Sequence, residues 1–544
     1  MVAPEARVAE APVHRYAATA HLLRLMKVLY FLSGFSASSF GRFATLFYLD
    51  SGLDAHRIGI VEGAQPIVAL LGNQLFGLLS DSLQRKKAVA LYARAVSTAL
   101  LLALPMPHWV GLPRATFPYI LAIMVAMAFF AVGGGVLDAY TLDLLGDERR
   151  GEYGRYRLWL AVSWGIGNAL MGWVADHLGF DYNFVVSGAL NLLAIGLMGA
   201  ALPSRTRGER RILQQRQLQQ RQLQQSHLAA RRADGLAAAA DSVREPLQRP
   251  EDCCPSSRQL PAAPADATLA AATTEAETAE AEAEAEAGVA EAEAEEAASL
   301  ASAALRPRFV FFLCEMMAIG LAFTVVEKFI FVFIIKELGG SQSLCGYSVA
   351  VNVIFEVPIF HFGDALLRTL GHEAMVLLSL LAYALRVFGY SCLQPHTVWA
   401  LLALEPLHGI TYALSWTAAV DKVKAEVPAA WQTSGMLLLN SAMWCAGRTA
   451  GSLLGGSFLQ HGRAFGHSGG RALYLVAACA SAGLIAAHVV ITLLLRAAGQ
   501  QPLLASPLAA AAAAGIEPLV AGGSAGRQEG WAAARVRTRD SDRE

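Results

Sequence analysis

The chain reads GLLSDSLQRKK at residues 77–87 and FHFGDALLRTLG at residues 360–371, each at the end of a long apolar run. In both stretches an aspartate precedes an arginine by four residues, and these residues are Asp81, Arg85, Asp364 and Arg368. Each run also carries an interior glutamate and a proline, which are Glu62, Pro66, Glu356 and Pro358. This internal sequence repeat predicts that the chain folds as two similar halves.

The composition is typical of a membrane protein. Of 544 residues, 55% are hydrophobic and 16% are charged, whereas a soluble domain carries about 25% charged residues. A helix that spans a bilayer needs about 20 mostly apolar residues. Twelve runs satisfy this rule, at about 22–48, 57–79, 88–106, 117–145, 158–176, 183–202, 308–335, 343–363, 373–393, 397–420, 433–459 and 471–496. The predicted fold is an all-α membrane protein with twelve transmembrane helices in two six-helix pseudo-repeats.

The loops orient these runs. Loops on one side hold sixteen Lys and Arg residues, and those on the other side hold five. Because loops rich in Lys and Arg stay in the cytoplasm, we predict an integral, multi-pass membrane protein with both termini cytoplasmic.

Two polar segments lie outside the apolar runs. Residues 203–306 pass from a Gln-rich repeat, LQQRQLQQRQLQQ, to an Ala/Glu-rich tract, EAETAEAEAEAEAG. Such compositions cannot bury a core, so solvated disorder with transient helix is predicted. The predicted organisation is a cytoplasmic N-terminus at 1–21, a six-helix half at 22–202, a disordered cytoplasmic linker at 203–306, a second six-helix half at 307–496 and a disordered cytoplasmic tail at 497–544.

Ionisable residues inside the runs are the first candidates for function. A charged side chain at the centre of a bilayer costs about 2.5–3.5 kcal/mol on insertion scales, so it usually faces a cavity or a partner. Arg42 and Glu62 both fall about 9 Å outward of the span centre at 1.5 Å rise per residue. This equal depth predicts an ion pair between them, either as a fixed bridge or as part of a gate or solute site.

The tenth run, LALEPLHGITYALS at 402–415, contains the strongest candidate. Glu405 and His408 are three residues apart and share a helix face, and Pro406 between them frees a backbone carbonyl. Histidine titrates near pH 6.5, and a neighbouring carboxylate can hold or pass a proton. The candidate proton-coupling or substrate residues are Glu327, Glu356, Arg386, Glu405, His408 and Arg448. Their alternative role is to fasten helices together.

Aromatic and small residues supply further candidates. Four tryptophans could stack on a solute, with helix packing as the alternative, and they are Trp159, Trp164, Trp416 and Trp444. Gly447, Gly451 and Gly455 recur every four residues, which predicts close approach of a neighbouring helix.

Several classes of function have no motif in the chain. There is no GxxxxGK[ST] loop or HExxH motif, which disfavours ATP-driven transport and metalloprotease-type catalysis. No CxxC spacing is present, so neither a metal nor a cofactor is predicted. The predicted partners are the lipid bilayer, a small-molecule solute and protons, with no nucleic acid and no required oligomer.

The layout and the box after the second run resemble the major facilitator superfamily. The residues that carry this resemblance are Gly77, Asp81, Arg85, Lys86 and Lys87. In that superfamily the box is implied to latch the cytoplasmic side, although Ser82 and Gln84 stand where it favours a basic residue and a glycine.

Two other stretches resemble one branch of that superfamily, which is often labelled the MFS-like associated domain and is related to lactose permease and nucleoside–proton symporters. They are YGRYRLWLAVSWGIG at 153–167 and EPLHGITYALSWTAAV at 405–420. The branch implies a carboxylate–histidine–arginine cluster that couples proton and solute, and only Glu405 and His408 match it by motif.

These observations predict a secondary active transporter, not an enzyme. It would move a small polar organic solute, sugar-like or nucleoside-like, by alternating access with proton symport. The paired loops carrying Asp81, Arg85, Asp364 and Arg368 would close the cytoplasmic face in the outward-open state. The alternative is a non-transporting receptor or scaffold that signals through the central linker.

Overall fold

The computed structural model describes residues 11–111, 116–131, 133–242, 306–427 and 431–497, and nearly all of them are helical. The first half contains α1 (Ala11–Phe40), α2 (Ala44–Asp50), α3 (Ala55–Leu83), α4 (Lys86–Ala103), α5 (Met106–Trp109), α6 (Phe117–Phe129), α7 (Gly133–Leu145), a 3-10 segment (Asp147–Glu152), α8 (Tyr153–His177) and α9 (Asp181–Ala201). One further helix, α10 (Arg207–Ser242), follows this half.

The second half repeats the pattern. It contains α11 (Pro307–Lys336), α12 (Gln342–His361), α13 (Gly363–Cys392), a 3-10 segment (Pro395–Ala400), α14 (Leu401–Leu404), α15 (Pro406–Glu426), α16 (Gln432–Asn440), a π-helical segment (Ser441–Gly447), α17 (Arg448–His461), the short hairpin β1 (Arg463–Ala464) and β2 (His467–Ser468), and α18 (Gly469–Ala497). The all-α prediction is confirmed.

Eight helical stretches of the described residues are long and apolar enough to cross a membrane, with α6 and α7 counted together. They are Ala55–Leu83, Phe117–Leu145, Tyr153–His177, Asp181–Ala201, Pro307–Lys336, Gln342–His361, Gly363–Cys392 and Gly469–Leu494. The four remaining predicted runs also coincide with helices, which are shorter, interrupted or richer in charge: α1 with α2, α4, α14 with α15, and α16 with α17. The structure is therefore consistent with twelve spans.

The interruptions have local causes. Pro406 begins α15 and cannot donate a backbone hydrogen bond, so the helical run breaks at Glu405. Gly371 adopts a φ of 74° inside α13, a conformation that glycine tolerates at little cost. This kink separates the apolar part of α13 from the segment that carries Asp364 and Arg368.

Glycines bring α11 and α17 into close contact. A Cβ atom on Gly447 would lie 2.6 Å from the carbonyl oxygen of Met317, and one on Gly451 would lie 2.5 Å from that of Leu321. Only residues without a side chain permit this approach. The predicted small-residue packing is confirmed.

The two halves meet mainly at one end of the bundle, where α3 packs on α17 and α8 packs on α12. A Cβ on Gly59 would lie 2.5 Å from the carbonyl oxygen of Ser452, and one on Gly346 would overlap the carbonyl oxygen of Asn168. We call this region the paired end and define it by residues 55–63, 165–176, 342–353 and 449–460.

A carboxylate also joins the halves at the paired end. Asp176 of α8 accepts hydrogen bonds from the backbone N–H groups of Gln342 and Ser343, at 2.9 and 2.7 Å. These groups belong to the first turn of α12 and have no partner within their own helix. Asp176 therefore caps a helix of the opposite half.

The helix α10 corrects one prediction, because residues 207–242 form a continuous helix, whereas solvated disorder with transient helix is predicted for 203–306. Gln, Leu, Arg and Ala favour helix intrinsically. Thr206 and Glu209 also form a reciprocal capping box, in which Glu209 accepts from the backbone N–H of Thr206 at 2.7 Å and donates its own N–H to the Thr206 hydroxyl at 3.2 Å. Residues 243–305, the remainder of this predicted linker, and the tail after 497 lie outside the described residues.

The capping box is also attached to the first half. The second carboxylate oxygen of Glu209 accepts from the backbone N–H of Lys86 at 2.7 Å, and Lys86 pairs with Asp143 at 2.7 Å. The Thr206 hydroxyl donates to Asp143 at 2.9 Å. Glu209 is completely buried, and it anchors the start of α10 to the first residue of α4.

Replacing Glu209 with glutamine is expected to loosen this anchor. The amide NH2 group would face one of two backbone donors and lose that hydrogen bond, at a cost of about 1–2 kcal/mol. We therefore expect faster trypsin cleavage after Arg210 and Arg211, measured by limited proteolysis. Glu152→Gln is the matched control, since Glu152 pairs only with the exposed Arg149 in the described region. Equal cleavage rates in the two variants would contradict the anchoring role.

Candidate functional site

A cavity of about 840 Å³ lies between the two halves. The first half supplies most of its wall, from α1, α3, α4, α6, α7, α8 and α9, and the second half contributes α11, α16, the π-helical segment and α17. Its charged wall residues are Glu62, Arg94, Lys328 and Arg448. A cavity of this size can enclose a small organic molecule.

One ion pair crosses the cavity between the halves. Lys328 Nζ of α11 lies 2.6 Å from a carboxylate oxygen of Glu62 on α3, and Glu62 is 3% exposed. This corrects the predicted pairing of Glu62 with Arg42. The guanidinium of Arg42 instead lies over the ring of Phe331 at 5.2 Å, and Arg42 forms no ion pair within the described residues. Equal depth did not determine the partner, because depth leaves the rotation of each helix undefined.

A second ion pair lies on the other side of α11. Arg448 donates to Glu327 at 2.6 Å, and its guanidinium lies over the Trp444 ring at 5.4 Å. Glu327 and Lys328 are consecutive, so they point in directions about 100° apart on the helix. One therefore pairs with α17 of its own half and the other with α3 of the opposite half.

The tenth-run candidates form a separate buried cluster in the second half. Arg386 of α13 donates to Glu405 at 2.6 Å and to His408 Nδ1 at 2.8 Å, and the Tyr390 hydroxyl donates to the other Glu405 oxygen at 2.8 Å. Arg386 and Glu405 are each 1% exposed. The predicted candidates Arg386, Glu405 and His408 are thus in direct contact.

The hydrogen bonds define the charge state of this cluster. A guanidinium can only donate, so His408 Nδ1 must accept and the imidazole is neutral. The two Glu405 oxygens accept from Arg386 and Tyr390. Protonation of His408 at Nδ1 therefore requires its contact with Arg386 to break.

Aromatic rings lie between this cluster and the cavity wall. Phe323 lies 6.3 Å from both His408 and Trp444, measured between ring centroids, and Tyr412 lies 6.2 Å from His408 and 5.8 Å from Trp444. Trp444 is on the wall, and Arg386, Glu405 and His408 are not. The predicted candidates therefore divide into a cavity group and a buried group.

Glu356 stands apart from both groups. It is half-buried on α12 and forms no ion pair within the described residues. Its backbone lies against α15, where a Cβ on Gly409 would be 2.7 Å from the Glu356 nitrogen. Glu356 can consequently gain or lose a proton without breaking an ion pair.

The four tryptophans have different surroundings. Trp444 lines the cavity, and Trp416 packs against it with ring centroids 5.9 Å apart. Trp159 is 40% exposed, and a Cβ on Gly41 would lie 3.1 Å from Trp164. Only Trp444 of the four is on this cavity wall, so solute stacking remains a prediction for that residue.

The predicted cytoplasmic gate is not assembled in this conformation. Four of its residues are exposed and form no ion pair within the described part of the chain: Asp81, Arg85, Asp364 and Arg368. Lys86 pairs with Asp143, and Lys87 donates to the carbonyl oxygens of Gly199 and Leu202 at 2.8 and 2.5 Å. Space is open around Gly77. These contacts stay within the first half.

Three site residues were absent from the sequence-based candidates. Lys328 bridges the halves, Tyr390 hydrogen-bonds to Glu405, and Arg94 lines the cavity. Arg94 was detectable in principle, because it is the only charged residue between Ala88 and Ala103. The role of Tyr390 was not, since an aromatic residue in an apolar run carries no sign of its partner.

Two helical halves around a central cavity form the architecture of the major facilitator type of membrane protein. Solved structures support this. A nucleoside transporter, NupG, superposes with a TM-score of 0.58 over 87% of this chain and 98% of its own, at 14% identity. A tetrameric PepTSo2 superposes with a TM-score of 0.55 over 88% of this chain and 98% of its own, at 13% identity.

The family follows from the sequence. The model of the MFS_1 like family matches residues 23–467, and the chain therefore belongs to that family. Its membership confirms the predicted superfamily and the prediction that the chain is not an enzyme.

Curated relatives match over shorter segments. The major facilitator superfamily domain-containing protein 6-like protein B of Xenopus laevis is 26% identical over 149 residues, which is 27% of this chain and 24% of that protein. Multidrug resistance protein MdtH of Edwardsiella ictaluri is 25% identical over 199 residues, which is 36% of this chain and 48% of that protein. The chain thus matches a quarter to a half of the length of these two relatives.

Proposed function

We propose that the chain is a secondary active transporter that moves a small polar organic solute, sugar-like or nucleoside-like, by alternating access with proton symport. The observation that carries this proposal is the cavity of about 840 Å³ between the halves, with the Glu62–Lys328 ion pair joining them across it. Charged residues inside a membrane protein characteristically mark solute and ion pathways.

The distribution of contacts supports alternating access. The close contacts between α3 and α17 and between α8 and α12 lie at the paired end, while the gate residues at the opposite end are exposed. With the termini in the cytoplasm, this conformation is closed to the outside and faces inward. Rocking of the halves would open the paired end and bring the predicted gate together.

The buried cluster supports proton coupling. His408 Nδ1 and one Glu405 oxygen both accept from Arg386, so binding a proton at either of these two atoms would break a contact with Arg386. Glu356 offers a second acceptor with no ion pair to break in the described region. A proton bound by the cluster of Arg386, Glu405 and His408 would change the packing of α13 against α15, the helices that carry Arg386 and His408.

Uptake into proteoliposomes tests this function. Labelled sugars, nucleosides and organic acids are offered with and without an imposed pH gradient, and gradient-dependent accumulation is expected for one class. Glu405→Gln and Glu356→Gln should reduce the gradient dependence more than they reduce uptake without a gradient. Absence of uptake for every class, with no change of internal pH, would contradict transport and favour the receptor alternative.

A further inference from the structure

The cavity wall carries more positive charges than its carboxylate partners neutralise. Lys328 is paired with Glu62, and Arg448 is paired with Glu327. Arg94 on α4 lines the same cavity, but it forms no ion pair within the described residues. The wall therefore carries one cation that the described residues do not neutralise.

The partners of Arg94 are neutral side chains. Its Nε donates to the Asn191 side-chain oxygen at 3.0 Å, and Nη1 donates to the Ser33 hydroxyl at 2.9 Å. A guanidinium carries five N–H groups, and Nη2 forms no hydrogen bond with the described residues. Asn191 and Ser33 thus hold the guanidinium in place and leave part of it available.

The part of the wall that the first half supplies contains one carboxylate, Glu62, which is paired with Lys328. Neutral hydrogen-bonding residues of this part come from α1, α3, α4 and α9, and they include Ser33, Ser36, Asn73, Gln74, Ser97, Thr98, Ser187 and Asn191. A charge without a counter-charge at membrane depth is costly, and the other two wall cations satisfy this requirement with a carboxylate. The side chains that contact Arg94 are neutral, so we expect a ligand to supply its counter-charge.

We propose that the transported solute carries an anionic group, a carboxylate or a phosphate monoester, and that Arg94 binds this group in the cavity. The planar fork of arginine matches both anions in a bidentate arrangement. This inference rests on the proposed transport function and specifies its substrate class. Ser33 and Asn191 act as positioning residues, since they touch Arg94.

The test compares solutes in matched neutral and anionic pairs. Uptake of glucuronate is measured against glucose, that of a nucleoside monophosphate against its nucleoside, and that of an N-acetyl amino acid against its amide. We expect uptake of an anionic member and not of its neutral partner. Selection of the glucuronate or N-acetyl pair identifies a carboxylate, and selection of the nucleotide pair identifies a phosphate.

Variants assign the effect to Arg94. A charge-assisted hydrogen bond contributes about 1.5–3 kcal/mol, so Arg94→Gln should raise the apparent KM for the anionic solute about tenfold or more. Arg94→Lys, which keeps the charge and loses the fork, should have a smaller effect. Arg149→Gln is the matched control, because the Arg149 side chain is 43% exposed and lies outside both the cavity wall and the paired end, and its uptake should equal that of the unchanged protein.

The outcomes separate this inference from the proposed function. If the protein takes up neutral solutes, and Arg94→Gln takes them up equally well, the proposed anionic substrate class is wrong. The proposed transport function would still hold. If no solute is transported, thermal stabilisation of the purified protein by the same pairs decides the inference. Preferential stabilisation by an anionic member that Arg94→Gln abolishes would support it, and equal stabilisation by both members, or none, would overturn it. If Arg94→Gln does not fold, Arg94→Lys and the comparison of pairs on the unchanged protein decide.

Discussion

Arg386→Ala is expected to destabilise the protein by about 3–5 kcal/mol, because it leaves a buried carboxylate without its counter-charge. Glu405 and Arg386 are each 1% exposed and are joined at 2.6 Å, so water cannot replace the lost partner. The free energy of unfolding is measured by titrating the protein from a mild detergent into sodium dodecyl sulfate.

The control for this experiment is an exposed pair. Arg57 and Asp54 are separated by 3.7 Å, with side chains 53% and 40% exposed, and Arg57→Ala should cost no more than about 1 kcal/mol. The double variant Arg386→Met, Glu405→Gln should lose less unfolding free energy than its two single variants lose together. Each single variant leaves one buried charge without a partner, whereas the double variant removes both charges. Additive losses would show that the two residues stabilise the fold independently.

Gly346→Leu is expected to prevent closure of the paired end. A Cβ at Gly346 would overlap the carbonyl oxygen of Asn168 on the opposite half, and overpacking of this kind costs about 1–3 kcal/mol. Since about 1.4 kcal/mol shifts an equilibrium tenfold, the halves should separate at this end and uptake should fall about tenfold or more.

Cys345 reports this separation directly. It is completely buried beside Gly346, so its maleimide labelling should accelerate in Gly346→Leu when the other six cysteines are replaced by serine. Gly196→Leu is the control, since space around Gly196 is open. If labelling of Cys345 in Gly346→Leu is as slow as in this control, the contact between α8 and α12 does not close that end.

The fold and part of the site were predictable because their signals are local. Runs of about 20 apolar residues identify spans without reference to one another. Glu405 and His408 are three residues apart, so their shared helix face follows from helix geometry alone. The glycine repeat at Gly447 and Gly451 likewise predicts close packing of a neighbouring helix without identifying that helix.

The errors concern contacts between distant segments. Equal depth predicts a pair of Glu62 with Arg42, but the rotation of the helices places Glu62 against Lys328, about 270 residues further along the chain. The capping box of Thr206 and Glu209 is local and was detectable from the T-x-x-E pattern, but its attachment to Lys86 was not. The separation of the buried cluster from the cavity depends on the packing of aromatic rings, which no single-residue pattern encodes.

The unequal contribution of the halves to the cavity has an evolutionary consequence. Most of the wall belongs to the first half, whereas the costly buried ion pair of Arg386 and Glu405 belongs to the second. Substitutions on the wall can change which molecule is accepted while the stability of the second half is retained. Proteins descended from such a chain can therefore diversify in solute preference through substitutions in the first half. Selection for stability would keep the buried ion pair of the second half nearly constant.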